Sequence, residues 1–350
     1  IRYLFDCDII IIYASFLLFF MRTIIFIFLV LFILAYFFRS DVNDMITGNV
    51  VLHEEKEILL QEYGDFDIYF CQVDDCEDQL LQRIAESDTI DCAFFDFDLL
   101  TIMDVLKQKT YRIVLDGKNI KDVSLPGIRV DNREAYMHNK FCIFDNRIVM
   151  TGSMNPTVND VRKNDNNLVF IESKTLVDNY NEEFLELWNG EFGKGEHVKH
   201  PRFLFNGYLV ENYFCPEDDC EDHVLNLLKS AQKNIYFMTY SFTSDVLGKE
   251  LIQNHYYGID VKGVFDHTQA GSDYSEFHTL NKIGLDVRRD KNKGFMHHKV
   301  FIVDDTVVLG SYNPTSSGNT KNDENILIFH DPRITNEFEQ EFKRVYENSL

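Results

Sequence analysis

The chain has 350 residues, 45% of them hydrophobic and 14% aromatic, with only 6 prolines and 17 glycines. That length suits about two domains, and the composition excludes a disordered or low-complexity chain. The formal net charge of -23 is spread along the sequence and opposes long-range attraction to nucleic acid or anionic lipid, although a local basic pocket still acts at contact distance.

Residues 1–44 differ from the rest. Thr23 to Phe38 is an unbroken apolar run between Arg22 and Arg39, and a second apolar run, Ile9 to Phe20, precedes it. As a helix, residues 23–38 reach about 24 Å, close to the roughly 30 Å of a hydrocarbon core once the flanking arginines snorkel. The run has no polar face and no Ala-x-Ala pattern follows it, so it reads as a transmembrane signal anchor rather than a core helix or a cleaved leader. A short N-terminal tail inside and an extracytoplasmic catalytic part is the expected arrangement.

The remainder reads as two copies of one unit, residues 45–200 and 201–350. Tyr69-Phe70-Cys71-Gln72-Val73-Asp74-Asp75-Cys76 returns as Tyr213-Phe214-Cys215-Pro216-Glu217-Asp218-Asp219-Cys220. Each copy continues into an amphipathic helical stretch, with Asp74 or Asp75 and Asp218 or Asp219 as N-cap candidates. Strand-like runs follow at Ile90 to Phe97 and Ile235 to Phe242, then at Arg112 to Asp116 and Val261 to Asp266, then at Ile128 to Val130 and Leu285 to Val287. Both copies close with an acidic amphipathic helix, LVDNYNEEFLELW and ITNEFEQEFKRVY. Strands alternating with helices define an α/β class, with a mixed, mostly parallel sheet per half. The matched pairs Cys71/Cys76 and Cys215/Cys220 suit two small disulfides, reduced thiols, or a shared zinc site, while Cys92 and Cys142 sit in apolar strands as buried thiols.

Between the last strands and the last helix of each copy lies the chemistry. Met137-His138-Asn139-Lys140 leads to Asp145 and Gly152-Ser153-Met154-Asn155-Pro156-Thr157. Met296-His297-His298-Lys299 leads to Asp304 and Gly310-Ser311-Tyr312-Asn313-Pro314-Thr315. Residues two apart in a strand share a face, so His138 and Lys140 point one way, as do His297 and Lys299, while Asn139 and His298 point the other; by the same period Ser153 and Asn155 share a face, as do Ser311 and Asn313. Asp145 and Asp304 fall at the turn of a strand-turn-strand unit, where they organise a hairpin rather than touch a substrate.

This pattern closely resembles the phospholipase D superfamily, whose signature is His-x-Lys-x4-Asp-x6-Gly-Ser-x-Asn. The first copy fits throughout; the second has one residue fewer between Asp304 and Gly310. The resemblance spans roughly residues 60 to 350. It implies two α/β sandwich repeats packed as a pseudo-dimer, both His-x-Lys faces lining one cleft, and a catalytic set of His138, Lys140, Asp145, His297, Lys299 and Asp304. It also implies phosphodiester cleavage without metal or cofactor. One imidazole attacks phosphorus to give a phosphohistidine, and the other protonates the leaving alcohol and then deprotonates water or an acceptor alcohol. Lys140, Lys299, Asn155 and Asn313 would hold the non-bridging oxygens, with Ser153 and Ser311 as further donors. Family members carry a Glu some residues after the motif Asn that orients a catalytic His. Glu324 fills that place in the second copy and Asn166 in the first. With Glu324 behind His297 and Asn166 behind His138, the carboxylate would suit His297 as general acid/base and the amide would leave His138 as the neutral nucleophile. The anchor and the acidic surface favour a phospholipid substrate, by hydrolysis or transfer of cardiolipin-synthase type. The Met-His-x-Lys and Gly-Ser-x-Asn-Pro-Thr wording also resembles the small endonucleases of the superfamily, which act on DNA or RNA. An inactive scaffold is disfavoured because no motif residue is missing from either copy.

Overall fold

The computed structural model describes residues 59–119 and 125–350. The apolar run at 23–38 lies outside the described residues. Among those residues no helix is long and apolar enough to cross a membrane.

The first copy runs β2 (Phe66–Phe70), α1 (Cys76–Glu86), β3 (Thr89–Phe94), α2 (Leu100–Leu106), β4 (Thr110–Asp116), β5 (Ile128–Asp131), β6 (Lys140–Phe144), β7 (Ile148–Gly152), α3 (Val158–Arg162), β8 (Asn167–Glu172) and α4 (Lys174–Asn189). The second runs β10 (Tyr208–Cys215), α5 (Cys220–Ser230), β11 (Asn234–Thr239), α6 (Asp245–Tyr256), β12 (Asp260–Phe265), α7 (Glu276–Lys282), β13 (Asp286–Arg289), β14 (Lys299–Val303), β15 (Thr306–Gly310), α8 (Ser316–Thr320), β16 (Glu324–Phe329) and α9 (Pro332–Glu347). The strand orders correspond one to one: β2-β8-β7-β6-β3-β4-β5 and β10-β16-β15-β14-β11-β12-β13. Two further strands, β1 (Leu60–Glu62) and β9 (Arg202–Phe205), extend only the second sheet, so a segment preceding the first copy is woven into the second.

The sheets are mixed, but antiparallel pairs outnumber parallel ones, contrary to the expected parallel majority. Among the described strands only β1-β9, β3-β4, β4-β5 and the counterparts β11-β12 and β12-β13 are parallel. The motif hairpin and the strand returning beside it supply the antiparallel neighbours, because a hairpin needs only a short turn whereas a parallel pair needs a crossover.

A shared core explains why both final helices are amphipathic. Tyr180 and Phe184 of α4 and Phe338 and Phe342 of α9 pack with Phe141 and Val149 of one sheet and Val300 and Val307 of the other. Each half also has an outer core, beneath α1 and α2 in the first and beneath α5, α6 and α7 in the second. Asp75 caps α1 by accepting from the Asp78 N–H, while Asp74 instead accepts from the Phe70 N–H. In the second copy Asp218 repeats the Asp74 bond on Phe214, and Asp219 occupies the N-cap in a left-handed conformation without a side-chain bond.

Three disulfides, Cys71–Cys76, Cys92–Cys142 and Cys215–Cys220, use six of the 7 cysteines. The zinc and free-thiol alternatives therefore fall away for the two matched pairs. The Cys92–Cys142 bond corrects the expectation of two separate buried thiols, since the antiparallel register of β3 and β6 sets the two residues directly opposite.

Asp145 and Asp304 stand at the hairpin turns with positive φ, 51° and 50°. Asp145 accepts from the Asp88 and Thr89 N–H groups, and Asp304 from those of Gln232, Lys233 and Asn234. Each ties its hairpin to the segment entering the neighbouring central strand. These hydrogen bonds are all made at the turn end of the hairpin, away from the His, and fit the expected hairpin role. The residue absent from the second copy is absent from this turn: Phe144 faces Ile148, but Val303 faces Thr306. Asp145→Ala is expected to cost about 1–2 kcal/mol, the worth of a lost cap-like charged acceptor, and to leave turnover within a few-fold. Thermal unfolding alongside initial rates checks both.

Candidate active site

The strands β3 and β11 stop short of their expected ends at Phe97 and Phe242, and the released residues turn into the site. The Asn155 side-chain oxygen accepts from the Asp96 N–H, and the Asn313 oxygen from the Ser241 N–H (3.2 and 3.4 Å), which holds these loops against the motif.

Two short parallel bridges stitch the halves together: Met137 with Asp323, and Met296 with Asp165. The His138 N–H donates to the Asp323 carbonyl and the His297 N–H to the Asp165 carbonyl, each at 2.9 Å. The segment following the Gly-Ser-x-Asn element of one half therefore lies beside the motif His of the other. Nδ1 of His138 is 2.7 Å from the Glu324 carboxylate, and Nδ1 of His297 is 2.9 Å from the Asn166 side-chain oxygen. This reverses the expected pairing. The carboxylate stands behind His138 and the amide behind His297, because each orienting residue crosses to the opposite half instead of serving its own.

The serines are corrected as well. Ser153 and Ser311 are fully buried, and their hydroxyls donate to Asn166 (2.9 Å) and Glu324 (2.7 Å) while accepting from the Asn167 and Asn325 N–H groups. They fix the groups that fix the histidines and have no proton left for a phosphate. The strand alternation that would have placed them beside Asn155 and Asn313 is broken at Gly152 and Gly310, with φ of 138° and 145°. A Cβ at those glycines would lie 2.5 and 2.2 Å from the Asn167 and Asn325 carbonyl oxygens, so no other residue fits.

Lys140 is fully buried and Lys299 nearly so; each donates one N–H to the carbonyl of its own histidine, at 2.6 Å. Burial first, and the charges of Lys140 and Lys299 second, hold both imidazoles well below their usual range, so His138 stays neutral and a protonated His297 needs negative charge beside it. Burial also lowers Lys140 to about 8, against the opposing pull of Glu324 and Asp160, and lifts Glu324 to about 8 against Lys140. Because the Glu324 oxygen facing His138 also accepts the Ser311 proton, Nδ1 of His138 carries hydrogen and Nε2 keeps its lone pair.

Asn155 is buried, and its amide nitrogen donates to Asp160 at 2.9 Å. Asn313 is half-buried and makes no such bond to a carboxylate among the described residues. His298 faces away as expected: it accepts from Asn167 on Nδ1 and donates from Nε2 to Glu341, both at 3.0 Å. Each motif histidine also meets an aromatic ring, itself packed on a second, that sequence reasoning passed over. Phe95 is 4.7 Å from His138 and 5.2 Å from Tyr136; Tyr240 is 5.1 Å from His297 and 5.5 Å from Phe295. Their signal was present, since both Phe95 and Tyr240 directly follow corresponding strands.

Fold and site together define a phosphodiester hydrolase built from two copies of one α/β unit. The family model described as cardiolipin synthase, PLD-like domain, matches residues 82–188 and 224–346, and the chain belongs to the phospholipase D superfamily. The mitochondrial cardiolipin hydrolase of Xenopus tropicalis is 33% identical over 144 residues, covering 40% of this chain and 69% of that protein. NUC from Salmonella typhimurium, a phospholipase D family member, is 32% identical with a TM-score of 0.38, covering 40% of this chain and 95% of that one. The phosphatidylserine synthase of Haemophilus influenzae shares the fold at a TM-score of 0.62 over 84% of this chain and 88% of its own, with 15% identity. The chain spans about two thirds of the length of the curated relatives it matches.

Proposed function

We propose that this enzyme cleaves phospholipids as a phospholipase D, through a phosphohistidine on His138, with His297 as acid and base. The observation that carries the reading is the Glu324 carboxylate 2.7 Å behind Nδ1 of His138. It fixes the tautomer that leaves Nε2 nucleophilic, and it offsets the positive charge that a phosphorylated imidazole acquires. Nε2 attacks phosphorus as the bond to the headgroup oxygen breaks, and that oxygen takes a proton from Nε2 of His297. Water then gives its proton back to His297 as its oxygen displaces His138 from phosphorus. Lys140, Lys299, Asn155 and Asn313 hold the non-bridging oxygens, whose charge grows in each transition state. His138 thus keeps the nucleophile role, on the opposite physical ground from the one its own half suggested.

The lipid substrate is supported by the family description and by the name of the Xenopus relative. The run at 23–38 would hold the catalytic part at a membrane, and three disulfides suit an oxidising, extracytoplasmic compartment. Endonuclease activity on single strands is the second reading, favoured by the paired rings beside each histidine, since bases stack on such rings. The test incubates the enzyme with EDTA against vesicles of phosphatidylcholine with cardiolipin and against single-stranded DNA. Headgroup release without DNA cleavage is expected; DNA cleavage alone overturns the lipid substrate, and loss of all activity with EDTA overturns the metal-independent mechanism.

The pH profile is a separate test. Because Lys140 titrates at about 8, kcat/KM is expected to fall as pH rises through about 8, where the ammonium loses its proton. On the acid side a fall is expected as pH drops below about 8, where Glu324 takes up a proton and no longer holds the Nδ1–H of His138 as a carboxylate.

A further inference from the structure

The two halves distribute their carboxylates unequally. Behind His138 stands Glu324, and six residues before Glu324 is Gly318. Behind His297 stands Asn166, and six residues before Asn166 is Asp160. Asp160 is 4% exposed, and its Oδ1 lies 3.7 Å from Nδ1 of His297. It is held there by three donors: the Asn155 N–H (2.6 Å), the Asn155 amide (2.9 Å) and the Asn164 amide (2.6 Å). In the second half no side chain fits that place, since a Cβ on Gly318 would lie 2.3 Å from the Asn313 carbonyl oxygen. One half thus carries amide plus acid, the other acid plus glycine, and each set serves the histidine of the opposite half.

Resting on the function proposed above, we propose that Asp160 is a positioning residue that supplies His297 with the carboxylate Asn166 lacks. The charges that most hold the His297 imidazole down are cationic or cation-forming, Lys299, Lys140, His138 and His298, while the nearby Asp266 accepts from the Met296 N–H at 3.2 Å. As acid, His297 must carry a proton on Nε2 while Nδ1–H is held by Asn166, and that imidazolium needs a nearby negative charge. Asp160 provides it at 3.7 Å, outside hydrogen-bond distance, so it stabilises the charged ring without taking its proton. When His297 gives the proton to the leaving oxygen the ring becomes neutral, and when it removes a proton from water the charge returns beside the same carboxylate.

The test compares two phosphodiesters, bis(4-nitrophenyl) phosphate, whose leaving group needs no proton, and a phosphatidylcholine, whose alcohol does. The rate read is single-turnover release of the leaving group, which precedes the step where His297 acts as base: Asp160→Asn slows it alike for both substrates through Asn155, and loss of charge behind the acid slows only the second. The ratio of the two rates is therefore expected to shift by about 100-fold against the lipid, within the usual worth of general acid catalysis. The double variant Asp160→Gly with Asn166→Glu rebuilds the arrangement of the other half and is expected to bring the ratio back to within about tenfold of wild type. An unchanged ratio in Asp160→Asn, or no recovery in a double variant with wild-type thermal unfolding, overturns the inference. His138→Asn is measured in parallel. If it loses both substrates while the Asp160 ratio stays fixed, only the role of Asp160 falls. If it retains the nitrophenyl ester, the parent reading falls.

Discussion

Replacing His138 by Ala is expected to lower turnover by at least about 10⁴-fold, with the fold intact, for loss of a nucleophile leaves only binding and electrostatic catalysis. The imidazole is 7% exposed and its Nδ1 rests on Glu324, so truncation removes the attacking nitrogen without unpinning a strand. What survives is a cleft with Lys140, Lys299 and the two Asn side chains, able to hold a phosphodiester but not to divide its cleavage into two steps. Vesicle or lipid-analogue binding should therefore persist in the variant while release of product does not. Rates measured beside equilibrium binding separate the two.

Glu324→Gln is expected to cost about 10³-fold, between the loss of an oxyanion donor and the loss of a tautomer-fixing carboxylate. A Gln amide in that place offers hydrogen to Nδ1 as readily as it accepts it, and the wrong orientation would leave the proton on Nε2 and block attack. The fully buried Glu324 also accepts from Ser311, so the exchange disturbs one further bond. Because the carboxylate serves the nucleophile, the loss should fall equally on good and poor leaving groups. A loss confined to poor leaving groups would instead place Glu324 behind the acid, as sequence order alone suggests. Single-turnover rates with the two kinds of ester decide between them.

That contrast marks the boundary of what the sequence could reveal. The duplicated motifs were legible because the same residues recur in the same order, and the turn role of Asp145 and Asp304 followed from their place between two apolar runs. The partner of each histidine was not legible. Glu324 is close to His297 along the chain, yet the bridges Met137–Asp323 and Met296–Asp165 carry each orienting segment across to the other half. Ser153 and Ser311 were misplaced because a strand period of two was continued through glycines whose backbone departs from it. The Cys92–Cys142 bond depends on the register between β3 and β6, which the strand sequences do not encode by themselves. Asp160 was visible only as an acid set opposite Gly318, and its meaning came from the distance to His297.

The central claim is that His138 becomes phosphorylated, and the direct measurement is to trap that species. In the His297→Asn variant the first bond can break when the leaving group is good, but nothing activates water to release the phosphoryl group. Rapid quenching with a labelled nitrophenyl phosphodiester, followed by peptide mapping under alkaline conditions that spare phosphohistidine, should place the label on His138. Label on His297 in the reciprocal His138→Asn variant, with none on His138 in the first, would contradict the account.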